Sequence, residues 1–178
     1  VASVLDLHQV LQQQQGQQVL LQLERDGKAF KKVVVPVSPQ QEQTLRYQHW
    51  VQQKKHQVDI QGKQQLGYLH LYAMTPNDIS HFAREFYANV DKPGLIIDVR
   101  RNRGGNIDSW VIEKLLRRVW AFWQPTQGKA YTNMQQSFRG QLVVLTDPLT
   151  YSDGETFAAG VKSLGLGPVV GQQTAGAG

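Results

Sequence analysis

A serine stands between an apolar run and a helical pattern, where its hydroxyl could do chemistry. Ser152 follows the short apolar run 141–146, which predicts a buried strand. Asp147 and Pro148 stop that strand, because proline has no amide to donate. Residues 157–164 then carry small and apolar side chains at helical spacing. Free amides of a first helical turn would suit an acyl-transfer nucleophile at this serine. The alternative left open is an N-cap serine, with Glu155 at the offset of a capping box.

A glycine-rich turn after a second apolar strand could supply the other half of such a site. Residues 94–100 predict that strand, and a helical pattern begins near Ile107. Between them, Gly104 and Gly105 would allow backbone amides to approach a ligand oxygen closely. Because the carboxyl ends of parallel strands share one edge of a sheet, this turn and Ser152 should meet there. Paired glycines also suit an ordinary tight turn, which stays open as the alternative.

The two turns, in this order and at this separation, resemble the core of peptidase family S41. The closer match within the family is the tricorn protease branch, because of Trp50 with residues 45–47 and the Ser-Asp-Gly-Glu run at 152–155. The resemblance covers about residues 45–178. It implies a crotonase-like α/β core preceded by part of a PDZ-like domain. The activity it implies is that of a serine endopeptidase on peptides or unfolded polypeptides.

The resemblance also assigns roles to individual residues. Ser152 matches the nucleophile, and the backbone amides of Asp153 and Gly105 match the two oxyanion donors; the Asp153 carboxylate is given no role. Gly104 and Trp123 are expected to bind substrate. Trp123 stands near the point where relatives that prefer basic side chains carry an acid, so an apolar or relaxed P1 preference is expected. Ordinary core packing is the alternative for Trp120, Phe122 and Trp123.

The chain offers no obvious proton acceptor for Ser152. Processing peptidases of the family carry a lysine 25 positions after the nucleophile, where this sequence has Ala177, so a Ser/Lys dyad of that kind is excluded. Tricorn-type enzymes use a histidine ahead of the PDZ-like domain and a glutamate beyond the nucleophile segment. The resemblance implies that both lie outside this sequence. His70 alternates with leucines in a predicted core strand, which favours a buried, hydrogen-bonded histidine over a catalytic one.

Three segments are expected along the chain. Residues 1–38 are interpreted as the C-terminal part of a PDZ-like domain, with a helical pattern over 4–14 and a hairpin at an Asp-Gly turn. Residues 39–65 are interpreted as a linker near 40–43 followed by an amphipathic connecting helix over 46–55. Residues 66–178 are interpreted as the peptidase core, incomplete at its C-terminus.

Composition narrows the functional classes. The 178 residues carry a net charge of +5, but the basic residues are scattered and no nucleic-acid motif is present, so no nucleic-acid partner is expected. No apolar run approaches the ~20 residues that a membrane-spanning helix needs. The sequence has no cysteine, which excludes disulfides and thiol chemistry. It has no metal-ligand spacing and no phosphate-binding loop either, so no metal or other cofactor is expected.

The expected partners are peptide or unfolded-protein substrates and further copies of the chain in a homo-oligomer. The compartment is not determined, with a periplasmic location favoured over a cytoplasmic one. Arg100, Arg101 and Arg103, beside the glycine turn, could attract an acidic group of a substrate; a solvated strand end is the alternative. Two other functions stay open: an inactive S41-like peptide-binding or scaffolding module, and a crotonase-like acyl-CoA enzyme.

Overall fold

The computed structural model describes residue 11 and residues 13–178, in two compact units that divide after Trp50. In the first unit, strands β1 (Val19–Arg25) and β2 (Lys28–Val34) pair antiparallel. Asp26 and Gly27 join them with φ of 54° and 72°, the left-handed pair that an Asp-Gly hairpin turn requires. The predicted hairpin is therefore confirmed. The helical pattern expected over residues 4–14 lies largely outside the described residues.

A long helix, α1 (Pro39–Gln61), replaces the linker that was expected near residues 40–43. It begins in the Gln-rich stretch because Ser38 and Gln41 cap it. Gln41 N donates to Ser38 Oγ at 3.1 Å, and Ser38 N donates to Gln41 Oε1 at 3.0 Å. Pro39 is tolerated because a helix leaves its first amides without intrahelical partners. No residue of α1 is fully buried, and the amphipathic character predicted over residues 46–55 stays a prediction.

A four-stranded parallel sheet forms the centre of the second unit, in the order β3-β4-β7-β8. Leu66 lies opposite Gly94 and Gly94 opposite Gln141, so β3, β4 and β7 run in register and end at one edge. The predicted mixed α/β fold with a parallel sheet is therefore observed. The strands are β3 (Leu66–His70), β4 (Gly94–Asp98), β7 (Gln141–Thr146) and β8 (Val169–Gly171).

Three helices connect these strands and pack on the sheet. They are α2 (Ile79–Ala88), which follows a short 3-10 helix at Pro76–Asp78, α3 (Asp108–Leu116) and α4 (Asp153–Ser163). Phe82 and Phe157 of the helices and Ile97 and Val144 of the sheet are fully buried in the core between them. Burial of such side chains contributes about 1.5–3 kcal/mol each. The core therefore fixes the strand ends and the start of α4, which carry the site.

A small hairpin of β5 (Phe122–Trp123) and β6 (Tyr131–Thr132) lies between α3 and β7 in the chain. Trp120, Phe122 and Trp123 are 72 %, 65 % and 56 % exposed, so the core-packing alternative for these aromatic residues is wrong. In the part of the chain that the structure describes, no helix combines the length and apolarity required to cross a membrane.

Candidate active site

Ser152 lies in a strained turn immediately before α4. Its φ of 51° and ψ of −120° differ from the extended conformation of an ordinary N-cap residue. A non-glycine residue in this region is costly and persists only where its surroundings hold it. Sharp strand-to-helix turns of this kind present a nucleophilic side chain at the end of a sheet. The capping-box bond to Glu155, which the sequence offered as the alternative, is also present, since Ser152 N donates to Glu155 Oε2 at 2.8 Å.

The glycine turn lies directly against this serine, as the strand positions predict. Gly104 has φ of 79°, and a methyl group on it would lie 2.7 Å from Ser152 Cβ and 3.1 Å from Ser152 Oγ. A methyl group on Gly105 would lie 1.7 Å from the carbonyl oxygen of Met74. Both positions therefore require glycine, the first to admit the serine side chain and the second to admit a neighbouring backbone.

Two backbone amides remain available at this turn. Met74 N donates to Gly104 O at 2.9 Å, and Asn106 N donates to Met74 O at 2.7 Å. Through these two bonds Met74 forms a parallel β-bridge with Gly105 without using the Gly105 amide. The amide of Gly105 consequently points away from Met74. The amide of Asp153 belongs to the first turn of α4, where helices leave donors unpaired. Among the described residues, neither amide has a hydrogen-bond acceptor, and both are suited to an oxyanion.

Asn102 joins the two turns and was not identified from the sequence. Its side chain is fully buried; Nδ2 donates to Leu71 O at 2.7 Å, and Oδ1 accepts from Gly104 N at 2.7 Å. Its carbonyl accepts from Tyr151 N at 3.0 Å, beside the serine. A methyl group on Gly154 would lie 2.8 Å from Asn102 Oδ1. The sequence signal was an asparagine two residues before a glycine, since asparagine bonds a turn amide at that offset.

The carboxylate of Asp153 has a role that the sequence interpretation denied it. Oδ2 accepts from Ile107 N at 2.9 Å and from Asp108 N at 3.0 Å, which caps α3 from a different helix. Burial is the largest effect on this carboxyl and, together with the charge of Asp108, raises the pKa of Asp153 despite the two amide donors. This cap fixes the start of α3 relative to the start of α4.

Glu155 attaches a later segment of the chain to the serine turn. Its Oε1 accepts from Gly176 N at 2.6 Å and its Oε2 from Ala177 N at 2.9 Å, in addition to Ser152 N. Partial desolvation opposes ionisation, but bonds from Thr174 and from these three amides outweigh it and lower the pKa of Glu155. Position 177 thus lies beside the serine turn and offers only a methyl group, which accepts no proton.

His70 is buried and hydrogen-bonded, as the sequence favoured. It is 1 % exposed, its Nε2 lies 2.8 Å from Arg100 O, and burial lowers its pKa. Asp98, which ends the adjacent strand, accepts from Tyr68 Oη at 2.8 Å and from Arg100 Nη2 at 2.6 Å. Arg100 therefore has a structural role and is no longer a candidate for substrate binding. Of the basic cluster, Arg101 and Arg103 remain candidates.

Trp123 is not connected to the serine turn by any hydrogen bond or ring contact of the described residues. It lies in β5, exposed to solvent, and its predicted part in substrate binding stays a prediction. In the described residues no group of His, Cys, Asp and Glu side chains is arranged to hold a metal ion. The structure thus brings together Ser152, Gly104, Gly105 and Asp153, and adds Asn102 and Glu155 as their supports.

Comparisons with known proteins agree on one family. The sequence profile of peptidase family S41 matches residues 65–178, more than half of the chain. Putative tricorn protease homolog 2 of Streptomyces coelicolor is 40% identical over 152 residues, which is 84% of this chain and 13% of that protein. Tricorn protease of Thermoplasma acidophilum is 29% identical over 171 residues, 96% of this chain and 16% of that protein.

A solved structure supports the same relationship. The crystal structure of the tricorn protease superposes with a TM-score of 0.80 at 29% sequence identity, over 95% of this chain and 16% of that chain. The present chain therefore spans only a small part of the length of the relatives it matches, 13% and 16% of the two proteins compared.

Replacing Asn102 by alanine should loosen both turns at once. The change leaves Leu71 O and Gly104 N buried without partners, which costs about 2–4 kcal/mol. Amide hydrogen exchange of the full-length protein should accelerate by about 30-fold or more over residues 101–106 and 150–155. Asn133→Ala is the matched control, because among the described residues Asn133 Oδ1 accepts only from the adjacent Met134 N, in a partly buried segment. Acceleration confined to 101–106 would contradict the coupling of the two turns.

The Glu155 attachment should depend on pH. Because its pKa in the folded protein lies below the ordinary 4.5, its carboxylate stabilises the fold above that pH, and the contribution disappears as pH falls through the lowered pKa. The melting temperature of wild type minus that of Glu155→Gln should therefore be largest near about pH 6 and shrink towards about pH 3. Glu113→Gln, with a side chain 65 % exposed, is the control. A difference that does not change with pH would refute the assignment.

Proposed function

The chain belongs to peptidase family S41, and on that basis we propose that it forms the nucleophile half of a serine endopeptidase active site. Its substrates in this proposal are peptides or unfolded polypeptides. The observation that carries the proposal is the strained Ser152 turn packed against Gly104, with two amides beside it, of Gly105 and Asp153, that have no acceptor among the described residues. The relatives, named as tricorn proteases, support peptide-bond hydrolysis as the reaction class.

The proposed reaction is acyl transfer through Ser152. Its Oγ attacks the carbonyl carbon of the scissile peptide bond, while a histidine that is not among residues 1–178 accepts the hydroxyl proton. The carbonyl oxygen becomes an oxyanion that accepts hydrogen bonds from the amides of Gly105 and Asp153, and each such donor typically lowers the barrier by ~3 kcal/mol. Collapse breaks the C–N bond, and the histidine returns the proton to the leaving amine. Water then hydrolyses the acyl-enzyme ester by the same route.

The supporting residues act by holding these donors in place before substrate arrives. The Asn102 side chain holds the amide of Gly104, which is next to the Gly105 donor. The Asn102 carbonyl accepts a hydrogen bond from Tyr151 N, next to Ser152. The positive end of α4 adds to the field at the oxyanion position. Donors fixed in advance need no reorganisation during the reaction, which is the main source of their effect.

Three finer features belong to the same proposal. Residues 66–178 form a crotonase-like core, residues 1–38 are the C-terminal part of a PDZ-like domain, and the full-length protein assembles as a homo-oligomer. Size-exclusion chromatography with light scattering on the full-length protein would test the last of these, and a monomeric mass would refute it.

A fluorophosphonate probe should label the full-length protein at Ser152. The label forms only where a serine is activated, so it should be absent in Ser152→Ala and retained in Ser163→Ala, a control at the far end of α4. Gly105→Ala should slow labelling by about 100-fold or more, because its methyl group would displace the turn. Asp153→Asn retains the amide and should have a mild effect. Failure of the folded wild type to react would favour the inactive scaffolding alternative.

The P1 preference should respond to Trp123. If this exposed side chain contacts the P1 residue, Trp123→Asp should shift cleavage from apolar towards basic P1 residues by about tenfold, because a carboxylate there pairs with Lys or Arg. A peptide library digested by the full-length protein gives the measurement. Phe122→Asp is the matched control, since adjacent strand residues point to opposite faces. An unchanged profile would remove Trp123 from the site.

A further inference from the structure

We propose that Arg103 forms an anion subsite that binds a carboxylate of the peptide substrate within about three residues of the scissile bond. This inference rests on the proposed function, because it concerns the substrate of the same site. The carboxylate is either the C-terminus of the peptide or an acidic side chain. Three properties of Arg103 support this role: its position, its fixed orientation and the absence of a counterion among the described residues.

Arg103 lies immediately before the glycine turn. It directly precedes Gly104, whose added methyl group would lie 3.1 Å from Ser152 Oγ and 3.3 Å from Asp153 N. Consecutive Cα atoms are ~3.8 Å apart, so the backbone of Arg103 lies one residue before the residue that contacts Ser152. An extended peptide advances ~3.3 Å per residue, which brings the groups near its scissile bond within reach of this side chain.

The Arg103 side chain is held rather than mobile. Its guanidinium carbon lies 4.9 Å from the ring centroid of Tyr72, and its own backbone N donates to Tyr72 O at 2.9 Å. Tyr72 follows the buried end of β3, so both attachments connect to the core sheet. A guanidinium lying over a ring keeps its N–H edge available for bidentate contact with a carboxylate. The fixed orientation reduces the entropy lost when a ligand binds.

No carboxylate in the described part of the chain lies within ion-pair distance of Arg103, and the residue is exposed. Arg100 differs, because Asp98 binds its guanidinium at 2.6 Å. The other carboxylates at this edge already accept backbone amide hydrogen bonds: Asp147, Asp153 and Glu155. The fold thus places a positive charge beside the site and leaves its neutralisation to a ligand, which favours an anionic group on the substrate.

The test is equilibrium binding of fluorescent peptides to the full-length Ser152→Ala protein, measured by anisotropy. One peptide pair differs only in a C-terminal carboxylate or amide, and a second pair, both amidated, differs only in an internal Glu or Gln. With arginine at position 103, the protein should bind the carboxylate peptide more tightly than the neutral one in one of the two pairs. That pair shows whether the bound carboxylate is a C-terminus or an acidic side chain. Arg103→Gln should lower the affinity for that peptide about fivefold and leave the neutral peptide unchanged. The preference should also weaken between about 50 and 300 mM salt.

Arg139→Gln is the control for charge alone, because Arg139 lies before the start of β7, at the opposite end of the strand from the site. Equal binding within both peptide pairs would overturn the proposal, as would an Arg139→Gln effect as large as that of Arg103→Gln. Because this assay uses no nucleophile, its outcome is independent of probe labelling. Labelling without carboxylate preference refutes only the subsite, whereas preference without labelling refutes only the catalytic proposal.

Discussion

The buried amide side chain of Asn102 is the interaction on which the site depends. It accepts from Gly104 N and donates to Leu71 O, while its backbone carbonyl receives Tyr151 N. No solvent reaches the side chain, so water cannot substitute for either bond. An asparagine is needed because it offers a donor and an acceptor on one short, planar group. The end of β3, the glycine turn and the serine turn are therefore positioned as one unit.

Two residues close to this asparagine have a strained backbone. Arg101 has φ of 61° and Ser152 has φ of 51°, both in a region that non-glycine residues rarely adopt. Each such residue costs about 1–3 kcal/mol and persists only when its surroundings determine it fully. Arg101 N is bound by Asp147 Oδ1 at 2.9 Å, and Ser152 N by Glu155. The strained residues therefore lie where polar bonds from neighbouring segments and a packed core on one side oppose relaxation.

Features that depend on local composition could be predicted from the sequence. The strand at Gln141–Thr146 was predicted at its observed bounds because a continuous apolar run suits a strand buried in a parallel sheet. The Asp26-Gly27 hairpin and the end of α4 near Gly165, which has φ of 63°, follow from turn chemistry alone. The meeting of Ser152 with Gly104 followed from topology, since parallel strands end at one edge.

Features that depend on distant partners could not be predicted in this way. Asp153 caps a helix whose amides lie 45 and 46 residues earlier, and no local pattern announces such a bond. Asn102 likewise bonds Leu71, 31 residues earlier. The linker expected near residues 40–43 is a helix for a different reason: glutamine is compatible with helix, and the Ser38 cap starts one there. Exposure of Trp120 also went against its hydrophobic character, because burial is decided by the packing of the whole chain.

The attachment of residues 176–177 to Glu155 uses backbone amides only, so the fold does not dictate which side chain stands at position 177. A lysine, an alanine or another residue with a backbone N–H could occupy it while the serine turn keeps the same bonds. The architecture that presents Ser152 is thereby separable from the side chain at position 177. Under the proposed function, such a protein can exchange one proton acceptor for another by a single substitution and a new neighbouring segment, without rebuilding the glycine turn. Different activation chemistries can therefore evolve on one unchanged sheet.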